Sequence, residues 1–174
     1  MGNRLVEATD DRLLSDYYTA NRDHLRAWEP ARDPAFYTQA FWSERLAEWE
    51  ASRYAGEAAH FVSTTGNEES VLAVCSITNI ARGPFQACNI GYSVAERAEG
   101  TGTMKSLLTF AIDYAFNELE LHRIMANYMP GNTRSARLLA SLGFTEEGLA
   151  KSYLLINGHW EDHVLTSLLN PSSP

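Results

Sequence analysis

Met104, Leu107, Leu108, Ala111, Ile112 and Ala115 recur at helical spacing, which predicts a long helix with one buried face. Nearer the start, residues 4–8 read as a short strand. Thr9 or Asp10 then caps a helix carrying Leu13, Leu14, Tyr17 and Tyr18 on one side. Beyond Pro30 a second helical stretch holds Phe36, Phe41, Trp42, Leu46 and Trp49. Residues 60–65 predict a strand closed by Gly66-Asn67, and residues 71–80 another closed by Arg82-Gly-Pro84. With a strand over 86–94 these complete an antiparallel meander.

The pattern continues to alternate. Residues 123–128 read as a strand, and Asn132 caps a helix whose Leu138, Leu139 and Leu142 face inward until Gly143 ends it. Strands over 152–156 and 159–168 flank Asn157-Gly158, a strong two-residue hairpin signal. The predicted order is strand, two helices, three strands, helix, strand, helix, two strands. That is an α+β fold around a mixed sheet, with one domain over 1–169 and a disordered tail over 170–174.

Length and composition narrow the class. A chain of 174 residues suits one domain with a real core, and 45% apolar with 21% charged residues is an ordinary globular balance. No apolar run approaches the roughly 18 residues a membrane span needs. The first residues lack a signal peptide's apolar core, and Val6 stands where a myristoylation signal needs Ser or Thr, so a cytoplasmic protein is expected. Cys75 and Cys88 have neither metal spacing nor a disulfide framework and read as small core residues on neighbouring strands. No His, Cys, Asp or Glu cluster has metal spacing either. The net charge of -8 argues against direct nucleic-acid binding and suits attraction of cationic acceptors such as amines or basic peptides.

The chemistry concentrates in Ile90-Gly-Tyr-Ser-Val94 and the following Arg97-Ala-Glu-Gly-Thr-Gly102, which opens the long helix. Glycines there let the backbone curl so that several N–H groups and a helix N-terminus converge, a favourable seat for pyrophosphate. A plain strand-to-helix turn is the alternative. Dinucleotide and Walker readings fail, because Lys105 occupies the third-glycine position and no Gly-Lys-Ser/Thr ending follows.

Arg97-x-x-Gly100-x-Gly102 resembles the acetyl-CoA pyrophosphate loop of the GCN5-related N-acetyltransferases (GNAT). Asn127-Tyr-Met-Pro-Gly-Asn-Thr-Arg-Ser135 and Leu138-Leu-Ala-Ser-Leu-Gly-Phe144 look like the Asn-x-x-Ser helix start and Leu-Gly-Phe turn of the RimJ/RimL group within that family. Trp28-Glu-Pro30, His122-Arg-Ile-Met-Ala-Asn-Tyr-Met-Pro130, Tyr153-Leu-Leu-Ile-Asn-Gly158, Trp160 and Asp162-His-Val-Leu-Thr166 are similar to its RimJ branch. The likeness runs from about Arg4 to Leu168. Two departures stand out. The first strand is shorter than usual, which implies a clipped sheet edge. Cys88-Asn89 also replaces a Glu that many members carry, leaving Asn89 only as a possible water-positioning residue.

The resemblance implies a mostly antiparallel twisted sheet flanked by helices, and direct acetyl transfer from acetyl-CoA to a protein N-terminal α-amine. A ribosomal protein is the implied acceptor, and the enzyme would be a monomer or homodimer. A dimer would use the sheet edge or the helix with Trp42 and Trp49. A small-amine acetyltransferase and a non-catalytic acyl-CoA-binding module are the alternatives. Cofactor contacts fall on Tyr92, Ser93, Val94, Arg97, Gly100, Thr101, Gly102, Thr103, Asn127, Asn132 and Ser135. Ser135 either touches cofactor or acts as acid, or merely helps cap its helix. Glu29 either holds or deprotonates the incoming ammonium, or is an ordinary carboxylate. An α-amine, with a pKa near ~8 against ~10.4 for lysine, needs little help to lose its proton, and a thiol near ~8.5 needs little help to leave. Backbone N–H groups of residues 91–94 are the expected oxyanion donors. Tyr128 is expected in the wall or core. Trp28, Tyr153 and Trp160 are read either as acceptor groove or as half-buried packing. His24, His122, His159 and His163 are expected to be structural.

Overall fold

A computed structural model describes residues 2–67 and 69–173. They contain β1 (Gly2–Leu5), α1 (Asp11–Ala20), α2 (Arg22–Leu25), α3 (Gln39–Tyr54), β2 (Ala59–Thr64), β3 (Val71–Ala81), β4 (Ala87–Val94), α4 (Thr103–Asp113), β5 (Arg123–Tyr128), α5 (Thr133–Ser141), β6 (Thr145–Ile156) and β7 (His159–Leu169). The strands form one seven-stranded sheet in the order β1-β2-β3-β4-β5-β7-β6. Every neighbouring pair is antiparallel except β4 and β5, which run parallel. This is the α+β mixed sheet expected, with the β2–β3–β4 meander at its centre.

Strand alternation explains the two cores. Phe61, Cys75, Ile77, Cys88 and Ile124 meet Leu107, Leu108 and Ala111 of α4 on one face. Val62 and Val74, one residue out of phase, meet Tyr17, Tyr18, Trp42 and Leu46 of α1 and α3 on the other. All six residues of β2 are buried because both faces are covered. The cysteines are buried and free, on neighbouring strands. Trp42 stacks on Tyr18 with ring centroids 4.9 Å apart and is 2% exposed, so it is core and offers no docking surface.

Local chemistry shifts several boundaries. The first strand ends at Leu5 because a reciprocal capping box between Glu7 and Asp10 pulls the chain into a turn. Arg4 clamps that turn with two hydrogen bonds to Asp10, of 2.7 and 2.8 Å. The second helical stretch starts only at Gln39, after a 3₁₀ turn over Pro34–Tyr37. β6 begins at Thr145, ahead of the expected 152, and its alternation is broken by a register shift between Ala150 and Leu154, where Ser152 has φ 48°. After β7, Asn170 donates to the Leu121 carbonyl (3.1 Å) and the His122 ring nitrogen meets the Ser173 hydroxyl (2.9 Å). Pro174 lies outside the described residues.

The feature that positions the site is where pairing stops. β4 and β5 pair at Ala87↔Arg123, Cys88↔Ile124 and Asn89↔Met125, and no further. β5 stays paired to β7 as far as Tyr128↔Val164, and β4 to β3 through Ala73↔Val94. The two parallel strands therefore part, and residues 90–94 turn one backbone edge to an open wedge.

Candidate functional site

One wall of the wedge is the turn from β4 into α4. Gly102 is the N-cap of α4 with φ 83°, and Gly100 has φ 71°, both in the left-handed region that suits glycine. A Cβ built on either would meet nothing within 4 Å, so conformation, not crowding, demands glycine, and the space over the loop is free for a ligand. The Thr101 hydroxyl donates to the Ala98 carbonyl (2.7 Å) and lies 2.7 Å from the Thr103 hydroxyl, tightening the curl. No acidic residue sits in the first turn of α4. Arg97 is exposed and, among the described residues, has no ion pair. The nearby Glu99 is occupied by Arg134 and by His24 at 3.5 Å, so its charge is compensated. Asn21 accepts the Glu96 N–H at 3.0 Å, tying the end of α1 to the loop. A loop with converging N–H groups, open space and a free guanidinium fits a pyrophosphate.

The opposite wall is the start of α5. The Asn132 side chain accepts the Ser135 N–H at 3.1 Å, capping the helix. Ser135 is buried, and its hydroxyl hydrogen bonds to the Tyr92 phenol, joining the two arms of the wedge. Burial pushes the Tyr92 phenol up to about 12, although the hydrogen bond with Ser135 pulls it back, so both hydroxyls carry protons at neutral pH. Asn132→Ala should lower stability by about 1 kcal/mol, read from the denaturant midpoint, with a matching loss of order at the Ser135 turn.

Glu29 approaches β4 from the α1–α2 side. Burial holds its carboxyl above the usual carboxylate range, while Arg32 at 3.5 Å and the nearby Ser93 hydroxyl pull it back. Ser93 also meets the Tyr17 phenol at 2.9 Å. Glu29 lines a cleft of about 220 Å³ that lies between α1–α2, the loop through Arg32 and the hairpin tip at Asn157. A carboxylate with a raised pKa, at the open end of a strand and facing a cleft, is suited to accept a proton.

Other candidates have other work. Asn127 donates to the Tyr153 phenol (3.3 Å) and accepts the Thr166 N–H (3.4 Å), so its side chain links β5 to β6 and β7. Tyr128 is buried, donates to Glu146 at 2.6 Å and belongs to the wall. Asn89 accepts from Asn79 at 3.4 Å, at the last position where β4 pairs with β5. Trp28 and Tyr153 are half-buried, at 42% and 39% exposed, whereas Trp160 is 64% exposed, and none of the three lines the cleft that Glu29 faces. His122 and His163 are engaged with Ser173 and with the Glu161 carbonyl. Val94 and Thr103 flank the turn from β4 into α4 at either end. Sequence reasoning missed Tyr17, Arg32 and Asn157 as site residues. Tyr17 read only as one of an apolar helix face, and nothing local marks its hydroxyl as a partner of Ser93.

Among the described residues no helix is long and apolar enough to cross a membrane, and no group of three or more His, Cys, Asp or Glu could hold a metal. Residues 4–145 match the family model described as an acetyltransferase (GNAT) domain. The chain is 45% identical over 168 residues to the ribosomal protein uS5-alanine N-acetyltransferase of Escherichia coli (strain K12), covering 97% of this chain and 87% of that one. The crystal structure of ribosomal-protein-S5-alanine acetyltransferase from Vibrio fischeri is 42% identical with a TM-score of 0.95, over 99% of this chain and 94% of that one. Mycobacterium smegmatis RimJ in complex with CoA-disulfide is 32% identical with a TM-score of 0.91, over 99% and 83%.

Proposed function

This chain belongs to the GNAT acetyltransferases, and from that membership we propose that it acetylates the N-terminal α-amine of a protein, with a ribosomal protein as its acceptor, in the cytoplasm. The observation that carries the reading is Glu29: a carboxylate with a raised pKa, held beside Ser93 at the open end of β4 and lining a solvent-open cleft. Bound acetyl-CoA supplies an activated acetyl thioester. Arg97 and the N–H groups at Gly100, Thr101, Gly102 and Thr103 would hold its pyrophosphate. Tyr92, Val94, Asn127, Asn132 and Ser135 line the path of its pantetheine arm.

The chain's own groups then have three tasks. Glu29 takes the proton from the incoming ammonium, oriented by Ser93, which Tyr17 in turn braces. Backbone N–H groups of residues 91–94 that point away from β3 face the oxygen on which negative charge builds. The hydrogen-bonded Ser135 and Tyr92 hydroxyls return a proton to the departing sulfur. The nitrogen gains the acetyl carbon and the carbon–sulfur bond breaks; of the two protons the nitrogen loses, Glu29 releases one to water and the other replaces the proton that the Ser135–Tyr92 pair gave to sulfur.

A polyamine acceptor fits less well, because Arg22, Arg26 and Arg32 line the same cleft and repel a multiply charged cation. Thiol release with product mass spectrometry tests the reading. The acceptors are Ala- and Ser-initiated peptides, the same peptides with blocked N-termini and a free lysine, and spermidine. Acetyl groups are expected on free N-termini alone. Faster turnover on lysine or spermidine would reject the acceptor class while leaving the family intact.

A further inference from the structure

The whole chain carries -8, yet the cleft that Glu29 faces has the opposite sign. Three guanidinium groups, Arg22, Arg26 and Arg32, line it against one carboxylate. Two of them are held by stacking: Arg22 lies 4.7 Å from the centre of the Tyr37 ring, and Arg32 lies 4.6 Å from that of Phe36. Arg32 is paired with Glu29 at 3.5 Å. Among the described residues Arg22 and Arg26 have no carboxylate partner, so the cleft holds two uncompensated positive charges beyond that pair.

Unpaired guanidiniums in a cleft are suited to a carboxylate, which they can grip with two parallel hydrogen bonds. The proton acceptor for the substrate amine lines the same cleft, so an acceptor chain whose first residue reaches Glu29 must run its next residues past these arginines. We infer that the enzyme selects acceptors carrying an acidic side chain within the first few residues, seated on Arg22 and Arg26. The inference rests on the N-terminal acceptor reading above and adds to it a charge requirement on the peptide. It also reverses the expectation drawn from net charge. The amine is the only cation the cleft is built to receive, and Glu29 alone receives it.

Peptides beginning with Ala, with a single Glu moved through positions two to five of an otherwise neutral sequence, test this against their Gln counterparts. For at least one position the wild-type enzyme should prefer Glu over Gln by about tenfold in kcat/KM, carried by KM. In Arg26→Gln, a change at an exposed side chain, that ratio should fall toward one. In Arg26→Glu the preference should turn to a Lys peptide. Arg22→Gln should also lower the ratio, with acetyl-CoA affinity by calorimetry showing that the variant is folded. N-terminal acetylation with no Glu preference at any position, or a preference that survives both arginine changes, would overturn the inference alone. Absence of acetylation on every free N-terminus would overturn the proposed acceptor and this inference together.

Discussion

Gly102→Asp should abolish measurable acetyl-CoA binding while leaving the fold in place. Gly102 sits at φ 83° at the head of α4, and a side chain there meets no neighbour within 4 Å. Asp and Asn are the L residues that tolerate this conformation best, so the strain is modest, on the order of 1 kcal/mol. What changes is charge. A carboxylate at ~5 Å from a phosphate, at an effective dielectric near ~20, opposes each negative charge by about 3 kcal/mol. Two phosphate charges make the loss on the order of a thousandfold or more, and the favourable field of the helix end is cancelled as well. Gly102→Asn supplies the control, with nearly the same shape and no charge. It should lose about tenfold or less, consistent with backbone strain alone. Calorimetry with acetyl-CoA reads both variants, and thermal melts confirm that each is folded. Wild-type affinity in Gly102→Asp would sink the assignment of this loop to the cofactor.

That loop was legible in the sequence because everything it needs is local. Arg97, Gly100 and Gly102 lie within six consecutive residues, and the helix they open announces itself by Leu107, Leu108 and Ala111. The same holds for Asn132 and Ser135 at the head of α5, and for Asn157-Gly158, whose φ values of 45° and 86° suit a tight hairpin turn. The start of β6 was hidden because a bulge around Ser152 breaks the alternation by which a strand is recognised. The cleft and the contacts behind it were hidden for a different reason. The contact of Tyr17 with Ser93 joins residues 76 apart in the chain, and that of Tyr92 with Ser135 joins residues 43 apart. Such pairs exist only once α1 has packed on one face of the sheet and β4 has parted from β5. Net charge does not describe this cleft, for a related reason. It sums the surface, whereas Arg22, Arg26 and Arg32 are brought around one cleft by α2 and the loop that follows it.

Glu29→Gln should lower kcat by about a hundredfold at neutral pH, at the low end of the range for loss of a general base. The low end follows from the substrate, since an α-amine with a pKa near ~8 already supplies a fraction of the neutral nucleophile. The deficit should therefore shrink as pH rises above ~8, where the amine no longer needs a base. The pH profile carries the sharper test. As the proposed base, Glu29 would work only when ionised, so wild-type activity should rise as its proton leaves. Burial displaces that limb upward from the ordinary carboxylate range, with Arg32 and Ser93 opposing the shift. In Glu29→Gln this limb should vanish, leaving only the rise set by the amine. In Arg32→Gln the carboxylate loses its cationic neighbour, its pKa rises further, and the acidic limb of kcat should move to higher pH, not lower. Acetyl-CoA affinity separates these effects from damage to the cofactor side, because no residue of the 97–103 turn lines the cleft that Glu29 faces, and binding at that turn should stay intact. A Glu29→Gln enzyme with normal kcat and an unchanged acidic limb would make Glu29 a bystander. The amine would then lose its proton to water, or to a carrier reached through Ser93 and Tyr17.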